Sequence, residues 1–376
     1  MGGSKAQADV RFIGRGTSTA TTSVVQDKNR KLTIVALLGG VLVLGLVVLA
    51  SLIGSGEETS TKTSPNGVAE AVLTDAKQLL NGGEIEVKQE IVSEWQSLWV
   101  ADFKGNRILG FNRQGAEIWQ QQMASAPIPA KSYNTHTEYV TVAPSGNLIV
   151  ADGEGMMVQE IDRSSHNLLW QYGIKDKQGS ADGLLHQPDK AYKINDHEVL
   201  VNDGNNRRVI IIDQRSNDIV WQYGETLRMG KGPGLLRGNT AVVPVDGGQK
   251  IAIVDTLEKK IIVVDRVTKN IVWEWMKSDA KWLQHAWPID GGGFVMEDRQ
   301  KHEVFAVNVA GQIVWQLNKL ADGSYLKYPT DVRGLPNGNV LIAEAGRGRV
   351  IEVVPMTGEI VSTFSGVGFV TTIDIE

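Results

Sequence analysis

With 376 residues the chain is long enough for a large buried core, and its 42% hydrophobic and 22% charged content is that of a folded globular protein. The absence of cysteine excludes disulfides, thiolate metal sites and a cysteine nucleophile. The net charge of −5 divides into +4 over residues 1–31 and −9 over the remainder, and an acidic body without a basic stripe argues against nucleic acid as a partner.

Residues 1–31 are rich in Gly, Ser, Thr and Ala and show no amphipathic period, so they read as a disordered basic tail. The run "LTIVALLGGVLVLGLVVLASLIG" (32–54) carries no charge. As a helix it would span about 35 Å, enough to cross a bilayer. Lys28, Arg30 and Lys31 precede it and Glu57 and Glu58 follow it. The positive flank places the N-terminus in the cytoplasm and everything beyond residue 54 outside it. The run is about twice the length of a signal-peptide core, which favours an uncleaved single-pass transmembrane helix. A polar linker follows. Within residues 55–83, Val68, Val72, Leu73, Ala76, Leu79 and Leu80 recur at helical spacing, predicting a short amphipathic helix over 65–80 that stops at Gly82 and Gly83.

From there the sequence repeats. "LIVADGEGMMVQEIDRSSHNLLWQYG", "VLVNDGNNRRVIIIDQRSNDIVWQYG" and "IAIVDTLEKKIIVVDRVTKNIVWEWM" share one scheme: strand, acid, turn, strand, turn, and a strand reaching Trp. The acid recurs as Asp102, Asp152, Asp203, Asp255, Asp298 and Glu344, at spacings of 50, 51, 52, 43 and 46. A hydrophobe follows six residues later each time, and Trp119, Trp170, Trp221, Trp273 and Trp315 follow by 17 or 18, with Ser362 in the last copy. A further strand and turn before each acid makes four strands per unit. Six such units predict an all-β, six-bladed β-propeller over residues 84–376, behind the N-terminal transmembrane helix. The indoles are expected to fill the wedge between blades, and the acids to tie turns. The first unit has a weak inner strand ("KQEIVSEWQ"), so residues 369–375 are expected to complete the first blade or to pair beside 84–92.

"YPTDVRGLPNGNVLIAEAGRGRVIEVVPMTGEIV" (328–361) and "LLHQPDKAYKINDHEVLVNDGNNRRVIIID" (184–213) resemble the repeats of NHL-type and arylsulfotransferase-like propellers. The outer strands ending in Val-Trp are similar to those of quinone-binding propeller repeats. The resemblance implies the propeller fold. Its sulfuryl-transferring members carry the group on a channel histidine, within a His-His-Asp segment that this chain lacks.

His136, His186 and His285 precede their acids by 16, 17 and 13 residues, where the innermost strand begins, and Tyr328 takes that place in the last blade. With Glu138 and Asp189 they form a candidate binding cluster at the channel mouth. Histidines related by the propeller's rotation should be held apart around the ring, sharing no metal and lining a water-filled mouth. Packing beside proline is the alternative role for these residues. "GETLRMGKGPGLLRG" (224–238) is Gly-rich but lacks the Gly-Lys-Ser/Thr ending of a phosphate loop and reads as a connection between blades. No catalytic motif and no cofactor motif stands out. The sequence therefore points to a non-catalytic binding or scaffolding subunit. It would sit in the cell membrane with its propeller outside the cytoplasm, within a larger membrane or surface assembly, with protein partners and room for a small ligand at the axis. The alternative is a propeller enzyme, a sulfuryl transferase or metal-assisted hydrolase using axial histidines.

Overall fold

The computed structural model describes residues 8–13, 19–26, 32–36, 85–89, 95–123 and 138–376, the first four stretches by their backbone alone. It divides into two units, Met1–Glu94 and Trp95–Glu376. In the first unit Ala8–Ile13 pairs antiparallel with Thr19–Gln26, which pairs with Leu32–Ala36, which in turn runs parallel to Ile85–Gln89. The β-branched residues of "TATTSVVQ" and "LTIVA" suit strands. Part of the tail expected to be disordered, and the start of the segment expected to be a transmembrane helix, are thus strands here. Residues 37–54 and the helix expected over 65–80 lie outside the described residues. Among the described residues no helix is long and apolar enough to cross a membrane.

The second unit is the propeller. Blade two runs Glu138–Val142, Leu148–Asp152, Met157–Ile161 and Leu168–Tyr172; blade three runs Pro188–Lys193, Glu198–Asp203, Arg208–Asp213 and Asp218–Tyr223. Blade four follows with Asn239–Val245, Lys250–Asp255, Lys260–Asp265 and Ile271–Met276, and blade five with Leu283–Pro288, Phe294–Asp298, Glu303–Val307 and Ile313–Leu317. Blade six is Pro329–Gly334, Val340–Glu344, Arg349–Val354 and Glu359–Phe364. Blade one takes its innermost strand from the other end of the chain: Val370–Ile375 pairs antiparallel with Ser97–Asp102, followed by Arg107–Asn112 and Glu117–Gln122. This is the first of the two closures expected from the sequence.

Second strands are apolar on both faces and buried, as in "LIVAD", whereas the outermost strands face solvent. The core lies between blades, in clusters that close the circle. At the junction of blades six and one, for example, Leu341, Ala343 and Val350 pack against Leu98, Val370 and Ile373.

The repeated acid has a concrete task. Asp102, Asp152, Asp255 and Asp298 each accept the backbone N–H three residues later, holding a tight turn. The residue after that donor is left-handed in every blade: Asn106, Met156, Arg207, Lys259 and His302 at φ of 50, 59, 59, 56 and 56°, and Gly348 at 60°. The same carboxylates also reach the start of the innermost strand. Asp203 accepts from the His186 N–H, Asp255 from Arg237 and Gly238, Asp298 from Lys281 and Trp282, Glu344 from Lys327, and Asp102 from Gly368 and Phe369. One buried side chain thus locks two loops.

The tryptophans do more than fill a wedge. Trp119, Trp170, Trp221 and Trp273 each donate their indole N–H to a turn of the following blade: to Arg163 O and Asn217 Oδ1 at 2.7 Å, Arg266 O at 2.7 Å and Val309 O at 2.9 Å. Blades one to four are thus each pinned to the next, and in blade four Trp275 adds a second such bond, to Gly311 O at 3.0 Å. Trp221→Phe keeps the ring and loses the bond, so it should cost about 1 kcal/mol, read as a fall in melting temperature of about 2–4 °C. Trp221→Ala also opens a cavity and should cost about 3–5 kcal/mol. Equal losses for the two variants would make the indole N–H irrelevant.

Candidate functional site

Innermost strands line the axis, and their registers define which side chains share a level. Thr372, Tyr139, Ala241 and Asp331 each stand opposite the residue just before their blade's acid. Lys190 and His285 reach the same level beside bulges in blades three and five. Two residues on, Asp374, Thr141, Tyr192, Val243, Trp287 and Arg333 form a second level. The axis is therefore two stacked rings, apolar only where blade four contributes.

The first ring is crossed by an ion pair. Lys190 Nζ lies 3.0 and 2.9 Å from the two Asp331 carboxylate oxygens, joining the diametrically opposed blades three and six, and neither residue is more than 1% exposed. Burial alone would raise the Asp331 carboxyl, but the Lys190 ammonium, His285, the Arg333 guanidinium and the Ile373 N–H together hold it at about 2. Blades two and five meet likewise: Gln284 Nε2 donates to Tyr139 Oη at 3.4 Å, and the Tyr139 ring meets His285 edge-on at 5.8 Å. In the second ring Arg333 donates to Asp374 and to Tyr192 Oη, both at 3.2 Å, and lies 3.9 Å over the Trp287 ring.

His285 is fully buried. Its Nδ1 donates to the Thr330 carbonyl at 2.6 Å, with Glu297 Oε1 at 3.0 Å. Burial, with Lys190 nearby, pushes its pKa well below the usual imidazole range, so the ring is neutral. Burial and the Asp331 charge push the Glu297 carboxyl well up. Among the described residues His285 Nε2, Glu297 Oε2 and Arg333 Nη1 are buried and find no hydrogen-bond partner. Among the described residues no group of His, Asp and Glu is placed to hold a metal.

The residues selected from the sequence separate. His186 sits half-buried in the loop before its strand, its backbone held by Asp203. Asp189 follows at the strand's start, bonded by Asn202 at 3.2 Å; burial and the neighbouring Asp203 push its carboxyl well up. Tyr328 occupies the corresponding loop of blade six, its N–H donating to His302 Nδ1 at 2.8 Å. His285 is not their equivalent. It lies inside its strand on the axis, four residues beyond Lys281, whose N–H takes the acid as that of His186 does. The spacing of 13, against 16 and 17, marks a different level of the channel. Glu138 opens the innermost strand of blade two opposite Asp152, with only its backbone described, and His136 lies outside the described residues. The axial Lys190, Asp331, Arg333 and Asp374 went unselected. Their signal was a charged residue alternating with apolar ones inside an innermost strand.

No curated protein matches the chain significantly. Among solved structures, a protein of unknown function from Bacteroides caccae is similar with a TM-score of 0.54 at 16% identity, covering 75% of this chain and 99% of its own. That likeness concerns the fold. A virginiamycin B lyase from Staphylococcus aureus gives a TM-score of 0.48 at 12% identity, over 73% of this chain and 82% of its own. The family described as "Outer membrane protein assembly factor BamB" matches residues 104–249 and, overlapping them, 208–363. Together these stretches cover more than half of the chain, and the protein belongs to that family.

Proposed function

We propose that this protein is a membrane-anchored, extracytoplasmic binding subunit of a larger membrane assembly, without chemistry of its own. The observation that carries this reading is the family match, whose description is that of an assembly factor, on a propeller whose axis is crossed by a buried ion pair. The charged groups on the axis bind one another, Lys190 to Asp331 across the ring and Arg333 to Asp374 between neighbouring blades. Such a ring is a rigid disc that presents loops, and loops on a fixed scaffold are the usual carriers of recognition. The anchor rests on the uncharged run 32–54 and its Lys28, Arg30 and Lys31 flank. In a bilayer a lone segment satisfies its backbone only as a helix, so the strand pairing of Leu32–Ala36 would be given up there.

Two measurements test the reading. Protease added to intact spheroplasts should digest the propeller and spare residues 1–31. A propeller protected until lysis would reverse the orientation, and release by carbonate washing would remove the anchor. After mild detergent extraction the protein should migrate in a complex well above its own 41.0 kDa. Migration as a monomer, or an activity on aryl sulfates that His285→Gln abolishes, would overturn the binding-subunit reading.

A further inference from the structure

On the face where the innermost strands begin, three consecutive blades carry a cation beside an aromatic ring. The loop locked by the acid reads Lys281-Trp282 in blade five and Lys327-Tyr328 in blade six. In blade one it reads Gly368-Phe369, and the side chain of Lys104 lies against Gly368, where a Cβ would come within 3.0 Å of it. Lys104 thus takes the place of the missing lysine, next to Phe103. The equivalent pairs in blades three and four are His186-Gln187 and Arg237-Gly238, and Arg237 is bound to Glu258. Among the described residues the arc is confined to blades five, six and one.

The rings are continuous along it. Phe103 meets Phe369 at 6.1 Å, and Phe369 meets Tyr328 at 6.1 Å. Arg299 bridges the rest, its guanidinium 5.0 Å from the Tyr328 ring and 5.1 Å from that of Trp282. All of these rings are partly exposed. Arg299 makes no ion pair among the described residues, and its Nε and the Trp282 Nε1 are buried donors without acceptors. Lys104, Lys281 and Lys327 are exposed and likewise form no ion pair among the described residues. The carboxylates of these loops are already engaged: Asp102, Asp298 and Glu344 by the loop amides, Glu344 also by Arg347 and Arg349, and Asp279 by Lys277 and Lys301. A guanidinium held between two rings with no ion pair among the described residues is preorganised for a carboxylate.

We propose that this arc binds an acidic polysaccharide, a chain of sugar rings bearing carboxylates. The arrangement requires charge and ring face on the same unit of the ligand, since each lysine adjoins an aromatic ring by one residue. A uronic-acid residue meets that requirement. The rings meet edge to face or tilted, at 67° and 58°, which gives a rim for sugar faces and not the parallel platforms on which bases stack.

The test uses the full-length protein in detergent, titrated calorimetrically with oligogalacturonate. Binding should be saturable, weaken as salt is raised, and be absent for a neutral maltooligosaccharide. Arg299→Gln should weaken it at least tenfold and Lys281→Gln with Lys327→Gln at least fivefold, while Trp282→Phe, which keeps a ring, retains it. Far-UV circular dichroism checks folding; should Arg299→Gln fail to fold, Lys104→Gln on its exposed turn carries the same expectation. No binding of oligogalacturonate, unchanged binding in the charge variants, or tighter binding of oligoglutamate or single-stranded DNA would each overturn the proposal. These outcomes leave the assembly reading untouched, because that rests on topology and complex size.

Discussion

Deletion of residues 367–376 is expected to unfold the propeller, whereas deletion of residues 1–64 should leave its melting temperature unchanged. The shorter deletion removes Val370–Ile375 and with it the whole ladder along Ser97–Asp102. Val370 and Ile373 are fully buried, and each contributes roughly 1.5–3 kcal/mol. Asp374 also leaves, so the buried Arg333 loses its carboxylate, at a cost of about 3–5 kcal/mol. Asp331 loses the Ile373 N–H. The losses sum to on the order of 10 kcal/mol, which matches the whole stability of an ordinary domain. Thermal unfolding followed by circular dichroism decides it. A preserved transition after the C-terminal deletion would mean that blade one closes from within.

The second large effect concerns Lys190→Met. Removing one partner of a buried ion pair leaves the other charged in the interior, which costs about 3–5 kcal/mol, or roughly 10 °C in melting temperature. Lys190→Met combined with Asp331→Leu removes both charges and should recover most of the loss. If the double variant is as unstable as the sum of its parts, the pair is not what holds blades three and six together. The acid limb gives a second readout. Asp331 has its carboxyl held down at about 2, below the ordinary 3.8, so the unfolded chain takes up its proton first as pH falls. Its contribution is therefore complete above about pH 4 and disappears as pH falls through 2. The gap in melting temperature between wild type and Asp331→Asn should be constant from pH 5 to 7 and shrink below 4.

The architecture was legible because its determinants are local and repeated. An acid followed at fixed distance by a hydrophobe, six times over, and by a tryptophan in five of those copies, records one hairpin turn and one outer strand. The closing strand could be foreseen because blade one lacked an inner strand and the chain ended in a surplus one. The axis was less legible. Counting back from each acid treated every connection as equal, and a bulge in an innermost strand displaces whatever precedes it. In a strand a shift of one residue turns a side chain from the channel to the flank. That is how His285, on the axis, came to be grouped with His186, in a loop. Lys190 and Asp331 are 141 residues apart. Nothing in the neighbourhood of either names the other, and only closure of the ring makes them partners. Likewise, Lys104 replaces a side chain at Gly368, an exchange between the two ends of the propeller that no single repeat records.

The indole bonds all point the same way along the chain, each of blades one to four gripping the one made after it. A propeller built this way can be assembled in order of synthesis, with every new blade captured as it emerges. The seam between blades six and one is different, for Ser362 stands where an indole would reach forward and the joint waits for the last strand. Asp102 and the Gly368 amide that it holds are 266 residues apart. At about 5–20 residues per second, the second strand of blade one must hold its bare edge through tens of seconds of synthesis before its neighbour exists. For that interval the nascent chain carries a sticky β edge at residues 97–102, unpaired until the final residues arrive.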